Sequence, residues 1–408
     1  MKKSYLKITL LIFITAFYSC SSDNSNKESD PVITPPETDL LTTSNVRSYM
    51  VDATATDETV ALFYNLKKLS KTRFAIGQQD AFNAFYNDAS GISDIKKTTT
   101  HDPALLGSDF MFITDKENNG QTSNWFHQQE VIITDDAKEA YTKGMINTFC
   151  WHLREPYHEN SFYAADMTET EKANAFRSIL PGGANHAWFK LKLDKVAEVV
   201  SSLKDTNGQL IPIIFRPFHE FDGSWFWWGA NYCSPEEYKT AYKFVVDYLK
   251  NTKGVHNILY AFSPDNSYTD SNAYLSRYPG DDYVDILGMD NYGDFNNQGQ
   301  TGASTANTKL KMISGLAITK VKIAALTETG YQVTAANAPV NGWFSNYLYN
   351  ALTENDVQLS FVMFWNNSQN AYYVPTPSNP NATDFTNFVA KPKATLINNL
   401  PNMYALPN

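Results

Sequence analysis

The 408-residue chain has three cysteines, no long apolar run after its first twenty residues, and fewer basic than acidic side chains. Each shortage excludes something. Three cysteines cannot build the dense disulfide framework of a small secreted scaffold. Without a second long apolar run there is no candidate for a membrane-spanning helix. Lys+Arg number 33 against 43 Asp+Glu, a net charge of −10, which argues against nucleic acid as the main partner. No Gly-x-Gly-x-x-Gly follows a strand-like run and no phosphate-binding loop occurs, so an open nucleotide-binding sheet is disfavoured. No His-Glu-x-x-His helix occurs either, and neither a metal nor another cofactor is expected. Hydrophobic residues at 43% and charged ones at 19% are a globular balance. Aromatics reach 14%, enough to fill a large core or to line a site for flat, half-apolar ligands.

Lys2, Lys3 and Lys7 precede the apolar stretch from Ile8 to Phe17, and Tyr18-Ser19-Cys20 follows. A positive start and a short apolar run read as an export signal. The small residue before Cys20 resembles the bacterial lipoprotein processing site, which implies a lipid on Cys20. The polar Ser21-Ser22-Asp23-Asn24 is similar to the surface-export tails of Bacteroidetes-type lipoproteins. Residues 21–43 are Ser, Asp, Asn, Pro and Thr with few large apolar side chains, a tether rather than a fold. The expected organisation is therefore a signal peptide over 1–20, a tether over 21–43 and one domain over 44–408. The expected location is the outer membrane, held by lipid alone and facing the cell surface. Cys150 and Cys233 are expected as separate buried thiols, and the chain as a monomer.

Eight short β-rich runs recur between Arg73 and Phe364: 73–77, 104–108, 144–150, 210–215, 257–262, 284–289, 322–326 and 359–364. Near-continuous apolar runs fit strands buried on both faces, as in parallel sheets. Helical patterns lie between them. Val196, Val199, Val200 and Leu203 make one stripe. Ser234-Pro235-Glu236-Glu237 is a helix start with a capping box, followed by Tyr238, Ala241, Tyr242, Val245 and Leu249 on one face. Eight strands alternating with helices predict an α/β fold of the (β/α)8 TIM-barrel type, with the tail from Ala371 wrapped around it.

In such barrels the active groups sit at the C-terminal strand ends. The fourth run ends Arg216-Pro217-Phe218-His219-Glu220, with Trp225 shortly after; the seventh ends Leu326-Thr327-Glu328-Thr329-Gly330. Each places a Glu just past an apolar strand. Two opposed carboxyls suit retaining glycoside hydrolysis, one as nucleophile and one as acid/base. The bland reading is that either Glu pairs with a strand-end Arg such as Arg216.

These two segments resemble glycoside hydrolase family 26, chiefly β-mannanases. Gly77-Gln78-Gln79-Asp80, Pro103-Ala104 with Gly107 and Asp109, and Cys150-Trp151-His152 support the resemblance, although the family commonly has His where Gln78 stands. The resemblance implies Glu220 as acid/base and Glu328 as nucleophile. It places His219 beside the nucleophile or the sugar, His152 in the same subsite, and Tyr292 as a donor to the nucleophile. Trp365 would be the platform under the sugar, Trp225 would stack on the leaving-group side, and Trp188 would add a wall. The implied partner is β-1,4-mannan, galactomannan or glucomannan. Trp151, Trp227 and Trp228 also fall at or past run ends, where sugar rings would stack, with one of Trp227 and Trp228 expected to face inward. Three rivals stay open: a barrel hydrolase holding zinc through His152, His219 and a Glu; a non-catalytic glycan-binding lipoprotein; and a family member acting on mixed-linkage β-glucan or β-1,3-xylan.

Overall fold

All eight β-rich runs form strands of one closed parallel barrel. They are β1 (Phe74–Gln79), β2 (Leu105–Asp109), β3 (Ile146–Cys150), β4 (Ile213–Arg216), β5 (Ile258–Phe262), β6 (Ile286–Asn291), β7 (Ile323–Thr329) and β8 (Phe361–Phe364). Each pairs in parallel with the next, and β8 pairs back onto β1, so no edge is left open. The computed structural model describes residues 40–82 and 91–407. Cys20, the expected signal and most of the expected tether lie outside the described residues. The compact unit begins at Leu40, ahead of the expected Ser44, and Leu41 is already buried against it.

Alternation along the strands sorts the apolar residues into two sets. Ala75, Leu105, Ile146, Ile214, Leu259, Ile286, Ile323, Ala325, Phe361 and Met363 face the barrel interior. Phe74, Ile76, Phe149, Phe215, Leu287 and Leu326 face the surrounding helices. Helix α1 (Asp57–Leu69) brings Leu62, Phe63 and Leu66 to the interior set and so closes the N-terminal end. Two further helices carry the predicted stripes: α2 (His186–Ser202), and α3 (Pro235–Asp247), whose Ser234–Glu237 capping box is formed. A cap of this kind stabilises a helix start by about 1 kcal/mol.

The tail runs from the mouth to the closed end. Ala371–Tyr372 pairs with Val333–Thr334, Ala394–Thr395 pairs with β1, and the Asn65 amide donates to the carbonyls of Asn402, Met403 and Ala405. Cys150 and Cys233 are free and buried, as expected. No helix among the described residues is long and apolar enough to cross a membrane.

Candidate active site

The polar groups gather at the other end of the barrel. Alternation turns Arg216 of β4 and Asp290 of β6 inward, because Ile214 and Ile286 already face the interior. Both nitrogens at the Arg216 tip are engaged. Nη1 donates to the Asp290 carboxylate at 2.8 Å and to Ser263 Oγ at 2.8 Å, and Nη2 donates to Glu328 Oε1. Thr327 Oγ1 donates to Asp290 at 2.6 Å.

Glu328 reaches this centre against the simple strand rule. Ala325 faces in and Leu326 faces the helices, so strict alternation would send Glu328 outward with Leu326. The ladder shifts register between Met289 and Asp290 on one side and between Leu326 and Thr329 on the other. Irregularities of this kind re-aim a side chain, and here they turn Glu328 into the mouth. Tyr292 Oη donates to its second oxygen at 3.1 Å. Burial, then the charges of Glu328 and Glu220, hold the Tyr292 phenol well above its usual pKa, so it stays a donor.

Glu220 arrives on a strained turn. Phe218 and Glu220 have φ of 53° and 52°, a left-handed conformation unfavourable for any residue but glycine. Buried donors hold the turn in place. The Trp228 indole donates to the His219 carbonyl at 2.7 Å, Tyr238 Oη donates to the Phe218 carbonyl at 3.2 Å, and the Glu220 N–H donates to Ser263 O at 2.9 Å. Burial pushes the Glu220 carboxyl well above the usual carboxylate range, and the charges of Glu328, Asp290 and Asp265 push the same way. The Trp225 indole N–H, donating to Glu220 Oε2 at 2.7 Å, opposes them. A Cβ on Gly223 would meet the Trp225 ring at 2.3 Å, so only glycine lets the indole lie there.

His219 is 1% exposed, and neither ring nitrogen has a protein hydrogen bond. Burial, then the charges of His152 and Arg216, lower its pKa well below the ordinary value and keep the ring neutral. Its Nε2 lies 3.9 Å from Glu328 Oε1, beside the space where a ligand hydroxyl would satisfy it. His152 differs. Burial disfavours its charged form, but the charge and the 2.5 Å hydrogen bond of Asp109 outweigh burial and raise its pKa. The two imidazoles meet edge to face at 4.6 Å, and the Trp365 ring lies 5.9 Å from His152.

The predicted residues thus divide. Glu220, Glu328, His219, His152, Tyr292, Trp225 and Trp365 converge on one mouth. Trp188 stands in the first turn of α2 with the Lys192 ammonium 5.6 Å from its ring, and none of its described contacts reaches the carboxylates. The expectation that Trp151, Trp227 and Trp228 stack sugars is corrected, because all three are fully buried. Trp151 packs on Phe189 and Phe215, and Trp227 donates to the Leu153 carbonyl. They hold the loops that carry the site.

Tyr373 was not anticipated. Its ring lies 5.9 Å from Tyr292, and burial, then Glu328 and Glu220, push its phenol up to about 12. It comes from the loop after β8 and is seated on Gly330, where a Cβ would meet its ring at 2.3 Å. No sequence signal marks it beyond a Tyr in an Asn-rich loop.

Among the described residues, two clusters have metal-ligand character: Asp109–Cys150–His152, and Glu220–Asp290–Glu328 with one oxygen of each within 4.8 Å of the others. The zinc reading requires His152, His219 and a Glu at one centre, and neither cluster has that composition. In the second, Arg216 already supplies the positive charge between Asp290 and Glu328. The mouth therefore presents a carboxyl kept neutral opposite a carboxylate bound to a guanidinium and a phenol. One can give a proton while the other attacks an electrophile.

The sequence profile of Glycosyl hydrolase family 26 matches residues 51–374. A mannan endo-1,4-beta-mannosidase from Bifidobacterium adolescentis is 36% identical over 328 residues, covering 78% of this chain and 32% of that protein. The chain thus spans about a third of that relative's length. GH26C from Muricauda sp. MAR_2010_75 is 57% identical, with a TM-score of 0.89 over 90% of this chain and 98% of that one. A modular endo-beta-1,4-mannanase from Cellulomonas fimi is 32% identical, with a TM-score of 0.80 over 87% and 79%.

Proposed function

The chain belongs to glycosyl hydrolase family 26, and from that membership we propose that it is a retaining glycoside hydrolase acting on internal β-1,4-mannosidic bonds of mannan, galactomannan or glucomannan. The observation that carries the reading is the opposed pair Glu220 and Glu328. One oxygen of each lies within 4.8 Å of the other, which supports the close spacing of a retaining pair, roughly 5–5.5 Å between carboxyl groups.

The Glu328 carboxylate attacks the anomeric carbon from one face. The Glu220 proton passes to the departing glycosidic oxygen, and the bond from Glu328 to the sugar replaces the bond that breaks. In the second step the Glu220 carboxylate takes a proton from water. The resulting hydroxide attacks the same carbon from the leaving-group side, and Glu328 departs as a carboxylate. Arg216 and the Tyr292 hydroxyl hold and aim the Glu328 carboxylate, while neutral His219 offers its unpartnered nitrogens to the sugar. Trp365 lies under the sugar ring, and Trp225 borders the leaving group.

A panel of mannan, galactomannan, glucomannan, mixed-linkage β-glucan and β-1,3-xylan tests the substrate. Mannooligosaccharides are expected from the first three, and their absence from all three would overturn the assignment. Binding of mannan without turnover would favour the glycan-binding reading instead. We further propose lipid attachment at Cys20 and outer-membrane anchoring, supported by the Lys-led apolar run and Ser19-Cys20. Radiolabelled palmitate should enter the wild-type chain and not Cys20→Ala; equal labelling would refute it.

A further inference from the structure

Glu220 is held from two directions. Ahead of it, Trp228 and Tyr238 fix the carbonyls of His219 and Phe218. Beyond it the tie is Asp222, two residues on. Asp222 Oδ1 accepts the Asp265 N–H at 2.6 Å, and Oδ2 accepts the Ser267 N–H at 3.2 Å. In the other direction, the Glu220 N–H donates to Ser263 O at 2.9 Å. The strained turn past β4 is thus joined, on both sides of Phe221, to the segment that follows β5. Phe221 is itself fully buried, its ring 4.4 Å from that of Tyr238 and 4.9 Å from that of Phe262.

The segment after β5 is a firm support because it is fixed in turn. The Asp290 N–H donates to Pro264 O at 2.8 Å. The buried Lys309, on the helix Gly299–Thr319, donates to Asn266 O at 2.6 Å and to Asp294 Oδ2 at 2.8 Å. Asp290 is also the partner of Arg216, so the support is anchored to the charged centre that holds Glu328.

Two left-handed residues, Phe218 and Glu220, make this turn costly, and it keeps its shape only while its surroundings hold it. A general acid must lie within hydrogen-bond reach of the oxygen it protonates, and a shift of about 1 Å can cost roughly 100-fold. Both partners of Asp222 are backbone N–H groups of the neighbouring segment, so Asp222 acts on Glu220 through the chain. Glu328 is held by Arg216 and Tyr292, which lie outside the turn, and does not depend on this tie. The tie also needs a carboxyl group, since each oxygen takes one N–H and an amide would offer a single acceptor oxygen.

We propose that Asp222 is a positioning residue for proton delivery, holding the Glu220 carboxyl at the leaving-group oxygen without touching the substrate. The inference rests on the glycoside hydrolase reading above and adds the group that sets the aim of the acid.

The test compares kcat/KM, which reports the first chemical step, on two substrates. Mannohexaose needs the Glu220 proton on its departing oxygen; 2,4-dinitrophenyl β-mannobioside has a leaving group that needs none. Asp222→Ala should lower kcat/KM on mannohexaose by roughly 30- to 100-fold and on the dinitrophenyl substrate by less than about threefold. Asp222→Asn keeps one of the two acceptors and should fall between Asp222→Ala and wild type on mannohexaose. If Asp222→Ala does not fold, Asp222→Asn carries the comparison. Equal losses on both substrates would show that Asp222 serves only the fold, and no loss on either would show that the tie does not aim the acid. Each of these results would overturn the proposal and leave the hydrolase reading standing. Turnover of neither substrate by wild type would instead overturn that reading, and this proposal with it.

Discussion

The ends of β4 and β7 present one glutamate each to the same space, but they build opposite surroundings for it. Past β4 the chain makes a strained turn, and Glu220 meets a single indole N–H, while the negative charges of Glu328, Asp290 and Asp265 bear on it. At the end of β7, Glu328 stays on the strand and meets a guanidinium and a phenol. Identical side chains within 4.8 Å are thus divided into a neutral acid and a held carboxylate. The division comes from backbone events, two left-handed residues on one side and two register shifts on the other, more than from the local residue types.

Removing each glutamate should break the comparison most visibly. Glu328→Ala should lower kcat on mannan by roughly 10⁴–10⁶-fold, and on dinitrophenyl glycosides as severely, because no leaving group replaces a nucleophile. Glu220→Ala should lower it by roughly 10²–10⁴-fold on mannan. With the dinitrophenyl substrate the first step should survive, seen as a burst of dinitrophenol followed by slow turnover. Equal losses in both variants on both substrates would contradict the division of roles.

Next in size is the shared cation. Arg216→Ala leaves Asp290 and Glu328 buried without their partner, which typically costs about 3–5 kcal/mol. Urea unfolding should show that loss together with lost activity. An unchanged midpoint would mean that the guanidinium does not hold the centre together.

The smallest effects sharpen the contrast. Trp225→Phe keeps a ring but removes the N–H that favours the charged form of Glu220, so the pKa of that carboxyl should rise further. Glu220 then stays protonated to higher pH, and the alkaline limb of kcat/KM should move upward, with a loss of about 10-fold at the optimum. Tyr292→Phe should cost a similar factor through Glu328 and leave the alkaline limb where it is. An alkaline limb that moves with Tyr292→Phe and not with Trp225→Phe would assign the acid to the wrong glutamate.

How much of this was legible beforehand follows from the same physics. The eight runs were readable because strands buried on both faces are apolar throughout, and the capping box before α3 because it is local. Glu220 and Glu328 were readable from the segments around them. The inward turn of Glu328 was not, since it depends on how β6 and β8 register against β7. Trp151, Trp227 and Trp228 were misjudged because closeness to a run's end does not tell which face a side chain takes. From sequence Arg216 reads only as a structural partner, and it is one, yet that pairing also holds the proposed nucleophile. Tyr373 comes from a loop that meets Tyr292 only when the barrel closes.

The central claim is that Glu328 forms a covalent bond to the sugar while Glu220 does not. Incubation with a 2-deoxy-2-fluoro-β-mannosyl fluoride, which slows the second step, followed by peptide mass spectrometry, tests it most directly. One fluorosugar is expected on the peptide that contains Glu328. A label on the Glu220 peptide, or no label together with an α-configured first product from mannan, would contradict it.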